Sequence, residues 1–460
     1  MTESPAVRVL STMNEDGTRR WLRPRVSQGR FLQRRRVVAY ALIALFVALP
    51  RIRIHGRPAL LIDLGARELS AFGAVFRPSD GTALMLFGLT IVLAVFLITA
   101  LFGRVWCGWA CPQTVYLEFV FRPLERRFLG TGAKRDALPR FHVRRIALVV
   151  VYAALAFGLA NVFLAYFVGT DRLERWVFEA PGDHRGGFLL VVGVSALMFF
   201  DFAYFREQTC IVACPYGRLQ TVLLDPQSLI VAYDATRGEP RAQPKKRLPV
   251  LEQRGACVDC GACVTTCPTG IDIREGLQME CIGCAQCADA CDTVMDKLQQ
   301  PRHLIGYTSQ RELERKPRQL LRLRTLVYPA LLAVIGVAFA WSVGTRPTTE
   351  VTVLRLSGPA FVELAGGRVA AQAQLRIENA TDVVRHYAVT LVDAPDAKLV
   401  AIQPTWQAGP RHAITVPLAF ELAATTFAGG TRVVHVRVDD AAGFSRVVPI
   451  TLLGPERGAP

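Results

Sequence analysis

Five apolar windows, two runs of four cysteines and a closing series of short alternating strands predict one architecture. It is an α-helical membrane protein of five transmembrane helices, with a cytoplasmic two-cluster ferredoxin-like insert and a C-terminal all-β immunoglobulin-like sandwich. The chain of 460 residues is long enough for two or three domains. Its mean hydropathy of +0.28 is too high for a purely soluble protein, and a few windows hold nearly all of the excess.

The windows lie at about 37–54, 82–103, 146–169, 187–205 and 325–343, and a bilayer crossing needs about 20 mostly apolar residues. The first is the weakest, because Pro50, Arg51 and Arg53 interrupt it. Asp201, at the end of the fourth, is read as either interfacial or functional, since ionisable groups at membrane depth are costly. Residues 1–36 carry nine Arg, 104–145 nine Lys or Arg, and 206–324 seventeen, against five in 51–81 and three in 170–186. Positive charge marks the cytoplasmic side. The chain therefore starts in the cytoplasm, crosses five times and ends outside. A signal peptide is not expected, because 36 mostly polar residues precede the first apolar run.

The predicted organisation is a basic segment at 1–36, four helices over 37–205, and a cytoplasmic segment at 206–324 holding a ferredoxin domain at about 248–300. A fifth helix at 325–343 and an outer domain at 350–456 follow. The net charge of +16 raises the question of nucleic acid. The basic runs, such as 241–247 and 311–324, flank the membrane segments and instead suit an anionic inner leaflet.

All twelve cysteines lie between 107 and 291, a clustering that points to metal binding rather than scattered disulfides. Eight form C-x2-C-x2-C-x3-C twice, at 257–267 and 281–291, the bacterial run for [4Fe–4S] clusters. The fourth cysteine of each run serves the other cluster. One cluster is assigned to Cys257, Cys260, Cys263 and Cys291, the other to Cys267, Cys281, Cys284 and Cys287. Gly261, Ala262, Gly283 and Ala285 let backbone N–H groups approach the sulfurs. Asp292 stands where the first run has a proline. Zinc is the alternative occupant.

The other four cysteines form Cys107/Cys111 and Cys210/Cys214, two CxxxCP pairs offset by 103 residues. Each follows an outward-to-inward span, so an internal repeat about the membrane normal should bring both pairs together. Proline biases Cys111 and Cys214 away from helix and suits the first turn of the helix that follows. A thiol there, beside Arg104, Arg206 or Arg218, is expected to have a lowered pKa. Thiolates favour Cu(I), zinc and iron–sulfur clusters, so this set is a candidate copper-handling or redox site. A third cluster, a transient disulfide and four merely buried thiols remain open.

Stretches such as RVAAQAQLRIEN, HAITVPLAFEL and TRVVHVRVDD alternate with turns over about 105 residues, predicting seven strands in a sandwich. His386, His412 and His435 read as ordinary strand or surface residues. No C-x-x-C-H or G-x-G-x-x-G occurs, so nothing points to covalent haem, nicotinamide or flavin.

In this order, the spans, the CxxxCP pairs, the eight-cysteine insert and the outer sandwich resemble the cytochrome c oxidase accessory protein family called CcoG, FixG or RdxA. The resemblance implies a cupric reductase in the bacterial inner membrane that supports assembly of the copper-containing cbb3-type oxidase. Its expected partners are oxidase assembly factors and copper chaperones or transporters. It also implies that Cys107, Cys111, Cys210 and Cys214 handle copper. Membrane ferredoxins of the quinol-dehydrogenase type share the CxxxCP pairs and clusters and pass electrons to an outer partner. A non-catalytic assembly scaffold is a third reading.

Overall fold

Long runs dominated by Leu, Val, Ile, Phe and Ala form the longest helices. In this computed structural model four helices among the described residues are long and apolar enough to cross a membrane: Gly81–Phe102, Val143–Val168, Arg185–Phe205 and Leu323–Gly344. They make the chain a multi-pass membrane protein. The structure describes residues 11–455 except 15, 17, 55, 78–79, 132–134, 136–138, 140, 242–254, 318, 320, 346, 355–358, 382, 402 and 404. Most of the basic run at 241–247 and the first residues of the expected ferredoxin domain thus lie outside the described residues.

The first apolar window falls short of the other four. It folds as Arg30–Ala48, whose opening turns hold Arg30, Arg34, Arg35 and Arg36. Its apolar part is shorter than the about 20 residues that a crossing needs. The N-terminal residue of this helix is Gly29-capped with no side-chain cap of its own. A distant carboxylate takes that role: Phe31 and Leu32 donate their N–H groups to Asp289 at 3.1 and 2.8 Å. A carboxylate at a helix N-terminus also satisfies the helix dipole.

The segment before this helix is a strap over the cysteine-rich insert, not a loose basic tail. Arg25 donates its N–H to the Thr265 carbonyl at 2.9 Å, and Ser11 and Ser27 donate to the carbonyls of Thr269 and Gln286. The 51–81 connection is also ordered. It holds a three-stranded antiparallel meander, Leu60–Asp63, Glu68–Ala71 and Ala74–Phe76. Arg53 pairs with Asp171 at 2.6 Å and Arg172 with Asp63 at 3.5 Å, tying it to helix Thr170–Phe178.

The 103-residue repeat extends to the backbone. After the span Gly81–Phe102, Gly103 turns the chain with φ 58 and ψ −131; after Arg185–Phe205, Arg206 does so with φ 54 and ψ −120. A non-glycine residue in that region is strained. Glu125 and Glu207 hold the Arg206 guanidinium at 3.2 and 3.5 Å. A short helical turn follows each, then extended Cys111 (ψ 126) and Cys214 (ψ 111), then the helices Pro112–Tyr116 and Pro215–Leu223.

The cysteine-rich insert is bracketed by two strands, Ile230–Tyr233 and Ile305–Thr308, paired antiparallel. Between them lie the short helix Ala262–Thr265 and the longer Gln286–Lys297. Val231, Ile271, Ile273, Ala288, Met295 and Leu304 bury a small core around the cysteines.

The chain divides into two compact units, 1–340 and 341–460. The second is an antiparallel sandwich of nine strands among the described residues, where seven were expected. One sheet runs Lys398–Ala401, Ala413–Ala423, Arg368–Asn379 and Thr349–Leu354, with Phe361–Leu364 also on Arg368–Asn379; the other runs Thr405–Ala408, Arg385–Leu391, Thr431–Asp440 and Ser445–Leu453. Alternate residues face inward, so Val369, Leu375, Ile377, Phe420, Leu422, Val436 and Ile450 form the core. His386 and His412 are exposed, and His435 is bonded to Asp393.

Candidate electron-transfer and thiol site

The two four-cysteine runs share one backbone trace. In the first, Asp259 and Gly261 take left-handed conformations with φ 50 and 64; in the second, Gly283 and Ala285 do so with φ 67 and 56. Both pairs sit two and four residues after the leading cysteine. Alternation of right- and left-handed residues turns successive N–H groups inward and forms an anion-binding concavity, as at many iron–sulfur sites. The N–H of Gly283 bonds to the Cys281 sulfur and that of Gln286 to Cys284.

The eight sulfurs lie close together, with Cys263 neighbouring both Cys291 and Cys287. Burial pushes the Cys291 thiol up to about 12, with further upward pressure from Cys263, Asp292, Cys257 and Cys260. Burial also raises Cys287, and its sulfur neighbours in order of influence are Cys284, Cys281, Cys267 and Cys263. Cys263, Cys267, Cys281, Cys284 and Cys287 line one cavity together with Val231, Ile271 and Ile273. Among the described residues no three His, Cys, Asp or Glu gather as a single ion requires, in the insert or at the CxxxCP pairs. Soft sulfur donors, inward N–H groups and an apolar wall fit an iron–sulfur cluster.

The repeat brings the two CxxxCP turns side by side. All twelve cysteines are free thiols. The halves are stitched to one another: Cys107 donates to Gln220 Oε1 at 3.1 Å and Gln113 Nε2 to the Arg206 carbonyl at 3.0 Å. Arg104 donates Nε to Gln220 Oε1 at 3.3 Å and its other nitrogens to the carbonyls of Gly217 and Met279.

The expected low thiol pKa is corrected. Burial pushes Cys107 and Cys210 up to about 12 and raises Cys111. The helix N-terminus does aim the N–H groups of Thr114 and Gln113 at Cys111, and Arg104 does favour the Cys107 thiolate. Desolvation outweighs both. A metal entering this site must displace those protons.

The CxxxCP pair sits directly on the second cysteine run. A Cβ on Gly108 would lie 2.6 Å from the Ile282 carbonyl oxygen and 2.9 Å from the Cys284 nitrogen; one on Gly283 would lie 3.2 Å from the Arg104 carbonyl oxygen. Two glycines, one from each element, thus permit backbone-to-backbone contact. Trp109 Nε1 donates to the Tyr307 hydroxyl at 2.7 Å, and that hydroxyl donates to the Gly283 carbonyl. Cys107 is close enough to Cys281 to raise its pKa. Arg122, paired with Glu118 and Glu207, also donates to the Pro268 carbonyl at 3.2 Å.

Sequence reasoning missed Arg35, Asp289 and Tyr307. Arg35 entered only as one of nine topogenic arginines, and Asp289 only as a residue between cysteines. No local pattern marks a contact across more than 250 positions.

Comparison with known proteins follows the same plan. A 4Fe-4S dicluster family model matches residues 205–310, and a 4Fe-4S binding-domain model matches 84–130. The model of the Ig-like fold at the C-terminus of FixG matches 339–455. Protein RdxA of Cereibacter sphaeroides is 34% identical over 79% of this chain and 80% of its own. Protein RdxB of the same organism is 37% identical over 78% and 77%, and nitrogen fixation protein FixG of Rhizobium meliloti 31% over 84% and 82%. With 31–37% identity over 78–84% of its length, the chain belongs to the FixG/RdxA family of membrane iron–sulfur electron-transfer proteins.

Proposed function

We propose that this chain is a cupric reductase of the bacterial inner membrane, turning Cu(II) into Cu(I) for assembly of cbb3-type cytochrome c oxidase. The observation that carries the reading is the bonding of the two CxxxCP turns to each other, with Gly108 packed on the backbone of Ile282 and Cys284. Cys257, Cys260, Cys263 and Cys291 hold one [4Fe–4S] cluster, and Cys267, Cys281, Cys284 and Cys287 the other. The clusters supply one-electron steps. Cys107, Cys111, Cys210 and Cys214 bind copper as substrate; each Cu(II) takes one electron and becomes Cu(I), the state that soft thiolates favour. Arg104 and Gln220 fix the Cys107 side of the site, and Gly108 with Trp109 keeps it against the cluster loop. The partners are oxidase assembly factors and copper chaperones or transporters that deliver and take the ion.

A third cluster on the four CxxxCP cysteines is the second reading, favoured by the 4Fe-4S model that extends over Cys107 and Cys111. Iron separates the two readings: about eight atoms per chain for two cubanes and about twelve for three. The test of reduction is anaerobic addition of Cu(II) to reduced protein with a Cu(I)-specific chelator. Oxidation of quinol without any need for copper would favour a quinol dehydrogenase, and full oxidase assembly with cluster-dead variants would favour a scaffold.

The helix Arg30–Ala48 makes the fifth crossing in this reading. It begins on the insert, at Asp289, and its far end meets the other connections, where Tyr166 donates to the Phe46 carbonyl at 2.7 Å. Its apolar part alone is short for a crossing, so in this reading the arginine-bearing opening turns stay packed on the insert rather than in lipid. The N-terminal strap and insert are then cytoplasmic and the sandwich periplasmic. Alkaline phosphatase fused after residue 460 should be active and a fusion near residue 250 inactive; the reverse would reject this topology.

A further inference from the structure

Arg35 is fully buried, with none of its surface exposed. Its Nε donates to the Gly108 carbonyl at 2.8 Å, inside the first CxxxCP pair. With the Gln286 amide oriented to donate to the Thr266 carbonyl, its oxygen accepts from Arg35 Nη1 at 2.8 Å. Gln286 lies between Cys284 and Cys287. The guanidinium carbon stands 5.4 Å over the Phe119 ring. Nη2 is buried with no hydrogen-bond partner among the described residues, and no carboxylate among them pairs with this side chain.

A buried cation with no counter-ion is costly, and arginine keeps its charge at any accessible pH. The site therefore needs an anion. The Glu118 carboxylate beside Gln286 is already paired with Arg122, and the further anion that the reading above places here is the thiolate-bound cubane of the second cysteine run. Reduction adds one negative charge to a cubane, so a fixed cation stabilises the reduced form and raises its potential; charge and hydrogen bonding around a cluster are known levers on it.

Resting on that cluster assignment, we propose that Arg35 is the fixed counter-charge of the cluster held by Cys267, Cys281, Cys284 and Cys287. It raises that cluster's reduction potential, so that electrons collect beside the CxxxCP thiols. Arg35 is a positioning residue: it touches the carbonyl of Gly108 and the loop of Gln286, and acts on the chemistry through charge.

The test is an EPR-monitored redox titration of the full-length, cluster-loaded chain. Arg35→Met should lower one cluster's reduced-to-oxidised ratio at fixed potential at least tenfold, which is 59 mV for a one-electron couple, and leave the other unmoved. Arg35→Lys, which keeps the charge, should restore most of the shift. Equal potentials in wild type and Arg35→Met at full iron content would overturn the proposal. Should Arg35→Met fail to load iron, wild-type protein labelled with 15N-arginine decides. Pulsed EPR of the reduced cluster should then show coupling to a guanidinium nitrogen that Arg35→Lys abolishes. Absence of that coupling overturns the proposal. Wild-type protein lacking about eight irons would instead reject the two-cluster assignment beneath it.

Discussion

Replacing Cys107, Cys111, Cys210 and Cys214 by serine together is expected to abolish Cu(II) reduction while iron stays near eight atoms per chain. The two CxxxCP turns are bonded to each other, and in the proposed reading the eight insert cysteines hold the clusters. Serine is nearly isosteric with cysteine but supplies a hard oxygen in place of a soft sulfur. The loss should be at least about 100-fold, the upper end of what losing mere outer partners of a metal ligand costs. Cu(I) formation and iron content, measured on one preparation, check this. A fall in iron would move the four thiols into the cluster count. Wild-type reduction by the quadruple variant would remove them from the reaction.

Gly108→Ala is expected to damage both thiol systems at once. Its new methyl would meet the Ile282 carbonyl at 2.6 Å and the Cys284 nitrogen and Cα at 2.9 Å. All three are backbone atoms, so no rotamer change relieves the clash. Forced overpacking of this kind costs about 1–3 kcal/mol, and here it displaces a loop whose N–H groups bond to cysteine sulfurs. Iron should fall from about eight toward about four atoms per chain as the second cubane is lost, and Cu(II) reduction should fall with it. Gly158→Ala is the control, since nothing lies within 4 Å of its added Cβ. Full iron in Gly108→Ala would show that the two loops are not in direct contact.

Much of this arrangement was legible because spacing is a local property. Cysteines at fixed intervals announce the insert, and an offset of 103 residues announces the repeat that sets the two CxxxCP turns side by side. The matching twist at Gly103 and Arg206 was hidden, because arginine is a poor marker of left-handed backbone. Alternating strands gave away six of the nine strands of the sandwich. The three missed, Phe361–Leu364, Lys398–Ala401 and Thr405–Ala408, are four residues each, too short for alternation to register.

What escaped depends on contacts distant in sequence. Arg35, within a basic run ahead of an apolar segment, looks like a topology signal. Only the fold reveals that it turns inward between Gly108 and Gln286. Asp289 caps a helix some 257 positions away. The thiol pKa expectation failed for a related reason: the helix N-terminus and nearby arginine are visible in sequence, but the burial that outweighs them is not.

The most direct test of the central claim is a single-turnover mixing experiment under anaerobic conditions. Fully reduced protein is mixed with Cu(II), and the reduced-cluster EPR signal and chelated Cu(I) are followed together. About two Cu(I) per chain, formed in step with loss of the signal of both clusters, is the predicted result. Persistence of the reduced signal with no Cu(I), or Cu(I) formed while that signal stays intact, would contradict it.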